Sequence, residues 1–320
     1  MSRSLVYVPA AVLSLAFSTN AQPPTFQGPK AGYLHSRDSQ TIRPLFGIPG
    51  STFVGSPVLR EVPSASISPG GEWALITKAG RSAFVRGLSD LPTESATAGL
   101  IDAIDQVVWS RDGRFALLRS SSSSQLQRVR LFDAEALADA PVSFPPESRL
   151  IAMTIDPPGR QMAVVVAGAG LYLFGAGQSP ALLSSMEPPA LTFDDTGRRL
   201  YAVDFEAQRI FEFDSGSGPI EFASLPDSSR PSFIGLAVSG NGSYLMVTDS
   251  AAREVRVYET ASRTLAKTIA LDFAPSRLEP VSPAPTFLLN SGTGNEWLLL
   301  LDGSHAPAVY FVPVSQEEPL

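Results

Sequence analysis

Six segments of the chain share one pattern: alternating apolar residues (interrupted by Asn290 in the last copy), then Ser or Asp, a two-residue spacer, Gly and a hydrophobic run. The glycines of successive copies are 42, 46, 38, 45 and 52 residues apart. Such a regular spacing predicts one supersecondary unit repeated along the whole chain. The copies are ASISPGGEWALITK (65–78), VVWSRDGRFALLRS (107–120), MTIDPPGRQMAVVV (153–166), LTFDDTGRRLYAVD (191–204), LAVSGNGSYLMVTD (236–249) and LLNSGTGNEWLLLLD (288–302).

Each copy is predicted to form a β-hairpin. The columns before the turn alternate between apolar and other residues, as Leu191 and Phe193 do, and this is the period of a strand. The run after the glycine, such as 200–203, is apolar on both faces and predicts a strand between two sheets. A third strand alternates again, as at Val255 and Val257. With a period near 40–50 residues, the chain is predicted to be all-β, a β-propeller of four-stranded antiparallel blades.

The turn of each hairpin has its own chemistry. A short oxygen-bearing side chain in the fourth column is predicted to accept a backbone N–H two or three residues on. The glycine in the seventh column is predicted to have a positive φ, where a Cβ atom is strained. The fourth-column residues are Ser68, Ser110, Asp156, Asp194, Ser239 and Ser291, and the glycines are Gly71, Gly113, Gly159, Gly197, Gly242 and Gly294.

Two segments carry a family resemblance: LYAVDFEAQRIFEFD (200–214) and LMVTDSAAREVRVYE (245–259). Their order of strand, Asp, polar turn and strand resembles the repeats of the YVTN and NHL-like β-propellers, whose relatives include WD-repeat and TolB-type propellers. The resemblance covers residues 30–315 and points to the exported bacterial type. It implies a fold, and it assigns no activity to any residue.

The two ends of the chain are less regular than the middle. Residues 32–50 resemble the second and third strands of a unit without its first, and residues 297–314 supply strands without an obvious fourth. Because an open ring would expose strand edges, residues 22–320 are predicted to be a single domain closed by pairing of its N- and C-terminal strands. We predict seven blades, with six or eight as alternatives.

Residues 1–21 are predicted to be a secretory signal peptide, because Arg3 precedes an apolar stretch and a small-residue cleavage context. The stretch is shorter than a membrane-spanning helix. We therefore expect an exported, periplasmic or extracellular monomer with no stable membrane insertion after cleavage. The chain has no cysteine, and its net charge is −7. That charge disfavours nucleic acid as a partner, which leaves a protein or a saccharide.

Five residues are candidates for ligand binding. Asp204, Asp249 and Asp302 each end the second strand of their copy, so their carboxylates recur around the predicted ring. Carboxylates in this arrangement are expected to bind a cation or a polar ligand. The alternative is that each aspartate caps its own turn. His35 and His305 follow apolar strands near the two ends of the chain, so ring closure brings them together, or they are solvated turn residues. No catalytic residue, metal ligand or cofactor is predicted.

The leading functional hypothesis is therefore an exported, non-enzymatic scaffold that binds its partner through a face built of loops. The alternative is a lactonase-like hydrolase, because the resemblance extends to YVTN-type and gluconolactonase propellers. No residue of this chain maps onto the sites of those enzymes.

Overall fold

The computed structural model describes residues 28–132, 135–214, 218–226, 234–290, 298–303 and 306–312. Their strands form seven antiparallel sheets, of which five have four strands, one has five and one has three. The predicted all-β propeller is confirmed. The ring has six blades when sheets of at least four strands are counted. Six was one of the predicted alternatives, and the preferred number of seven is not observed. We name these six sheets blades B to G, and the three-stranded N-terminal sheet is sheet A.

The strands follow one another in chain order. Sheet A contains β1 (Lys30–Ser36), β2 (Thr41–Phe46) and β3 (Phe53–Val54). Blade B contains β4 (Ser64–Ile67), β5 (Trp73–Lys78), β6 (Arg81–Arg86) and β7 (Thr93–Ser95). Blade C contains β8 (Gln106–Trp109), β9 (Phe115–Ser120), β10 (Gln125–Leu131), β11 (Ala136–Ala138) and β12 (Val142–Ser143). Blade D contains β13 (Leu150–Ile155), β14 (Gln161–Val166), β15 (Gly170–Gly175) and β16 (Ala181–Ser184).

The remaining three blades complete the ring. Blade E contains β17 (Ala190–Phe193), β18 (Arg199–Asp204), β19 (Arg209–Asp214) and β20 (Ile220–Ser224). Blade F contains β21 (Ile234–Val238), β22 (Tyr244–Asp249), β23 (Glu254–Glu259) and β24 (Thr264–Ala270). Blade G contains β25 (Glu279–Pro280), β26 (Thr286–Leu288), β27 (Leu298–Asp302) and β28 (Ala308–Val312).

The apolar core lies between the blades, and the second strand of each hairpin explains why. In β18 the side chains of Tyr201 and Val203 pack in a cluster with Leu245 of blade F. The alternate residue Leu200 packs in a different cluster with Val165 of blade D. A strand that contacts a sheet on each side must be apolar on both faces, as the sequence predicted.

The turns between first and second strands have the predicted chemistry at a different spacing. Ser68 Oγ accepts the N–H of Trp73 at 3.0 Å, and Asp156 Oδ1 accepts that of Gln161 at 2.9 Å. The donor is thus five residues on, at the start of the next strand, and not two or three as predicted. The glycines are at positive φ, with Gly197 at 69°. The cap residue and the glycine of the last copy, Ser291 and Gly294, lie outside the described residues.

These turns define the two faces of the ring. We call the side that carries the turns after the first strands the first-turn face; it is marked by the glycines Gly71, Gly113, Gly159, Gly197 and Gly242. The opposite side is the second-turn face, where the second strands end and the connections between blades begin. Asp204, at the end of β18, pairs with Arg209 there.

Blade G follows the repeat in a different phase. Val281 follows the short strand β25, and its N–H is bonded to Thr286 O across the turn 282–285, which has the place of a first turn. The segment 288–302, predicted to be a first-and-second-strand hairpin, therefore contributes the second and third strands β26 and β27. The Asn290 that broke the apolar pattern is explained, because it follows a second strand.

Sheet A lacks a first strand among the residues that the structure describes. Its innermost strand β1 begins beside Val281, whose carbonyl oxygen leaves no room for a Cβ atom at Gly32. From there β1 runs towards the second-turn face, as second strands do. Residues 32–50 therefore have the predicted character of second and third strands. Sheet A packs against blade G through Leu45 and Val312, and against blade B through Ile42. Closure by paired N- and C-terminal strands is not among the described pairings and stays a prediction.

Candidate functional site

The centre of the ring contains a cavity of about 430 Å³ that is partly open to solvent. The inner strands β8, β13, β17 and β21 line it, together with residues 276–280. We call it the channel cavity. Its polar lining residues include Gln106, Thr154, Thr192, Arg277 and Glu279.

Arg111 crosses the channel at the first-turn face. From the first turn of blade C, its Nη1 donates to the carboxylate of Asp195 in blade E and lies 3.1 Å from the carbonyl oxygen of Val238. The same atom lies 3.3 Å from the carbonyl oxygen of Ser239, and Nε lies 3.5 Å from that of Pro283. One side chain thereby connects four blades, and we call this set of contacts the Arg111 bridge.

The bridge lies in a partly dehydrated place. The side chains of Arg111 and Asp195 are 21% and 24% exposed. Burial raises the pKa of Asp195, although the positive charge of Arg111 acts to lower it. Arg111 Nη2 is buried and has no hydrogen-bond partner in the described part of the chain.

Sequence reasoning missed the bridge, although the repeat carries a signal for it. The residue after the capping Ser or Asp is Pro69, Pro157 or Gly240 in three copies, but it is Arg111 and Asp195 in two others. Residues in the same column of the repeat lie at the same end of the channel once the ring closes, so these two opposite charges are brought close together. The pattern of spacing alone did not show that this column faces the channel.

The segment 276–280 brings a second charged pair to the cavity. The N–H groups of Ser276 and Arg277 are bonded to Leu289 O, so the backbone of blade G holds the segment in place. Arg277 Nη1 lies 3.3 Å from Glu279 Oε2, and these two side chains are 23% and 63% exposed. The pair offers a hydrogen-bond donor and an acceptor to a ligand in the channel.

A second cavity of about 350 Å³ adjoins the first, next to sheet A. We call it the N-terminal cavity. His35 is part of its lining, and its Nε2 lies 2.7 Å from Val62 O. Burial lowers the pKa of His35, the bond to Val62 opposes this, and the charges of Arg37 and Arg277 lower the pKa further. His35 is thus half-buried in the wall of a cavity and is not the solvated turn residue of the alternative hypothesis.

Two of the aspartate candidates cap their own turns on the second-turn face. Asp204 Oδ1 accepts the N–H of Ala207 at 2.9 Å. Asp249 Oδ1 accepts the N–H of Ala251 at 2.9 Å, and its Oδ2 lies 3.6 Å from Arg256 Nη2. Neither residue is in the lining of the two cavities. Their contacts are those of the turn-capping alternative.

The other two candidates do not join them. The backbone of Asp302 ends the third strand β27 and pairs with Thr286, next to the turn 282–285. It therefore lies at the first-turn face, because blade G is out of phase, and the three aspartates do not form one ring. His305 lies outside the described residues, so its predicted approach to His35 stays a prediction.

Two features are absent from the part of the chain that the structure describes. No group of three or more His, Asp or Glu side chains lies close enough to hold a metal ion in the part of the chain that the structure describes. Within the same residues, no helix is long and apolar enough to cross a membrane.

Comparison with known proteins places the chain among the β-propellers. No protein-family profile matches it, and no curated protein sequence matches it. Its structure is similar to a Bacteroides fragilis protein provisionally assigned as a 6-phosphogluconolactonase, at 14% identity and a TM-score of 0.60 over 92% of this chain and 97% of that one. The periplasmic gluconolactonase of Pseudomonas aeruginosa is similar at 15% identity and a TM-score of 0.56, over 89% and 99%.

A third similar structure has a different name. The β-propeller domain of Cps50 from Myceliophteria thermophila has 15% identity and a TM-score of 0.56, over 79% of this chain and 86% of that one. At these identities the likeness shows the fold alone.

Proposed function

We propose that the protein is an exported β-propeller that binds a small, hydroxyl-rich ligand such as a saccharide or sugar acid in its channel cavity. The observation that carries the proposal is a cavity of about 430 Å³ crossed at one end by the Arg111 bridge. Because the bridge obstructs the first-turn face, the ligand enters from the loop-built second-turn face. A volume within about 300–1,000 Å³ suits a small molecule.

The lining supports a polar ligand. Thr154, Thr192 and Gln106 supply hydroxyl and amide groups, which both donate and accept hydrogen bonds as sugar hydroxyls do. Arg277 adds a permanent positive charge, so a sugar carboxylate is bound more tightly than the corresponding neutral sugar. The surrounding inner strands are rigid, which limits the entropy cost of binding.

Calorimetric titration with gluconate and with glucose tests this proposal. We expect gluconate to bind at least five-fold more tightly than glucose, and Thr192→Trp to abolish binding by filling the cavity. Thr264→Trp, on the exposed strand β24, is the matched control and is expected to bind as the unmodified protein does. Equal gluconate affinity in the two variants would contradict the channel site, and binding of neither sugar would contradict the ligand class.

A second candidate function is lactone hydrolysis in the same cavity. It is favoured by the Arg277–Glu279 pair in the channel and by the names of two similar structures. Glu279 would take a proton from a water that attacks the lactone carbonyl, and Arg277 would stabilise the negative oxygen as the ring C–O bond opens to the hydroxy acid. Opening of glucono-δ-lactone above its spontaneous rate, lost in Glu279→Gln but kept in Glu94→Gln on the outer strand β7, supports it.

Export is proposed separately from ligand binding. We infer that residues 1–21 are removed, because their apolar stretch is short and ends in small residues. Intact-mass measurement of protein recovered outside the cytoplasm tests this inference, and Arg3 retained in that protein would contradict it.

A further inference from the structure

The N-terminal cavity occupies the place where sheet A would have its first strand. In each of blades B to G, the strand next to the channel runs from the second-turn face to the first-turn face. The innermost described strand of sheet A, β1, runs in the opposite direction. The cavity is lined by β1, by Ser64 to Ile67 of blade B, by Glu279 to Val281 of blade G and by Gln106 to Trp109 of blade C. The first three are the neighbours that a first strand would have.

Among the residues that the structure describes, none pairs with the channel-side edge of β1. The strand pairs only with β2, and no backbone hydrogen bond reaches its other edge from the residues that the structure describes. An open edge offers a row of N–H and C=O groups to an extended chain. Tyr33 lines the same cavity, is 4% exposed, and its hydroxyl has no hydrogen-bond partner among the described groups.

The cavity is closed at one end and open at the other. At the first-turn face, Gly70 N–H donates to Val281 O at 3.1 Å, so blades B and G meet directly across the end of β1. At the second-turn face, the exposed residues Arg37 and Ser64 border the cavity. A volume of about 350 Å³ and one closed end suit three or four residues of an extended chain that enters from the second-turn face.

The walls and the rim indicate the chemistry of that chain. Ala65, Trp109 and Leu288 line the cavity, and the first strands that fill this place in blades B to F alternate apolar residues, as Met153 and Ile155 do. At the rim, both Arg37 and Arg277 are close enough to lower the pKa of His35 electrostatically. The two carboxylates of the lining, Asp105 and Glu279, are paired with Arg119 and Arg277 at 2.8 and 3.3 Å. Arg37 has no ion pair among the described residues, so its positive charge favours an acidic residue at the open end.

We propose that the N-terminal cavity is a docking site for an extended peptide segment of a partner protein. The segment adds to the free edge of β1 as the missing first strand, with alternating apolar side chains inside and an acidic residue at the rim beside Arg37. This site is distinct from the channel site, although residues 106–109 and 277–280 contribute to both cavities.

The probe is a fluorescent peptide with the sequence EPPALTF, which is residues 187–193 of this chain and includes β17 with its preceding acid. We expect saturable binding to the full mature chain in fluorescence anisotropy. Hydrogen exchange of the fragment 30–36 should slow at least ten-fold in the complex. Exchange in blade E should not change, because its own first strand is in place.

Three variants locate the site. Ser64→Trp narrows the opening and is expected to weaken binding at least ten-fold, whereas Ala251→Trp, at an exposed second turn of blade F, is expected to have no effect. Arg37→Glu is expected to weaken binding about five-fold and to favour a probe that begins with Lys. The corresponding charge reversal at Arg198, which is exposed on the first-turn face, is expected to leave the affinity unchanged.

Three outcomes would overturn the proposal. The first is no binding of the probe, and the second is binding that Ser64→Trp and Ala251→Trp affect equally. The third concerns the ends of this chain as rival occupants of the cavity. If the probe binds only after deletion of residues 22–27 or 313–320, the chain fills the cavity itself and no partner peptide is needed.

Discussion

Blades E and F differ from sheet A and blade G in how far the repeated pattern determines their strands. In blade E the glycine turn joins the first strand β17 to the second strand β18, as the pattern predicts. In blade G the same pattern forms the next hairpin of the blade, and the first turn is the proline-containing segment 282–285. The repeat therefore specifies a hairpin, whereas its place in a blade depends on what packs beside it.

The difference has a physical reason. Any two consecutive strands of a blade can be joined by a tight turn with a capping side chain and a glycine, so the turn chemistry does not identify the pair. What fixes the place of β26 is burial of Phe287 and Leu289 against Met246 of blade F. Such contacts between distant residues are not visible in local periodicity.

The largest effect is expected from removing the end of blade G. A chain that ends at Gly294 lacks β27 and β28, and with them the buried side chains of Leu301 and Val312. Each contributes about 1.5–3 kcal/mol, and the loss also exposes Met246 in blade F and Leu45 in sheet A, against a net stability of ~5–15 kcal/mol. We expect this chain to unfold or aggregate. A cooperative, monomeric melt near the full-length temperature would contradict the closed ring.

Two glycines with the same backbone conformation separate turn strain from packing between blades. Gly197 and Gly242 both have φ of 69°, but a Cβ atom at Gly197 would lie 2.8 Å from Asp156 Oδ2 of the neighbouring blade, whereas one at Gly242 meets nothing within 4 Å. We expect Gly242→Val to cost about 1–3 kcal/mol from strain and Gly197→Val about 3–5 kcal/mol.

Chemical denaturation measures both free energies of unfolding. The control is Ser121→Val in an exposed turn, which we expect to cost less than about 0.5 kcal/mol. Equal losses for the two glycine variants would show that contact between neighbouring blades adds nothing to the cost of a side chain at this turn.

The Arg111 bridge connects regular blades with the irregular turn of blade G. Arg111→Met leaves Asp195 without its cation, so we expect a loss of about 2 kcal/mol in the free energy of unfolding. Arg114 makes a longer contact of 4.0 Å with Asp112, and both of those side chains are well exposed. Arg114→Met is the matched control and is expected to cost under about 0.5 kcal/mol. If the two variants are equally stable, the bridge has no structural role.

The sequence predicted what depends on near neighbours and missed what depends on ring closure. The capping Ser68 and the positive φ of Gly197 follow from local backbone chemistry, and both were predictable. The Arg111–Asp195 pair joins residues 84 positions apart, and the cavity beside β1 is formed by four sheets. Neither could be located until the blades were arranged around the channel.

The smallest expected effect is a histidine-dependent response of sheet A to pH, because blades E and F contain no histidine. Because burial lowers the pKa of His35, the neutral imidazole is favoured in the folded protein. The stability that it contributes is fully present above about pH 6.5, the ordinary histidine value, and is lost as the pH falls through the lower folded pKa. We therefore expect the free energy of unfolding to decrease between pH 7.5 and 5.5.

His35→Gln removes that titrating group, and we expect the decrease to be smaller in this variant than in the unmodified protein. Gln keeps an N–H donor for Val62 O, which lies 2.7 Å from the His35 Nε2 atom, so the loss at neutral pH should be modest. Ser121→Val is the control and should keep the unmodified pH dependence. If His35→Gln keeps the full pH dependence, the wall of the N-terminal cavity does not sense protons, and the response belongs to carboxylates elsewhere in the ring.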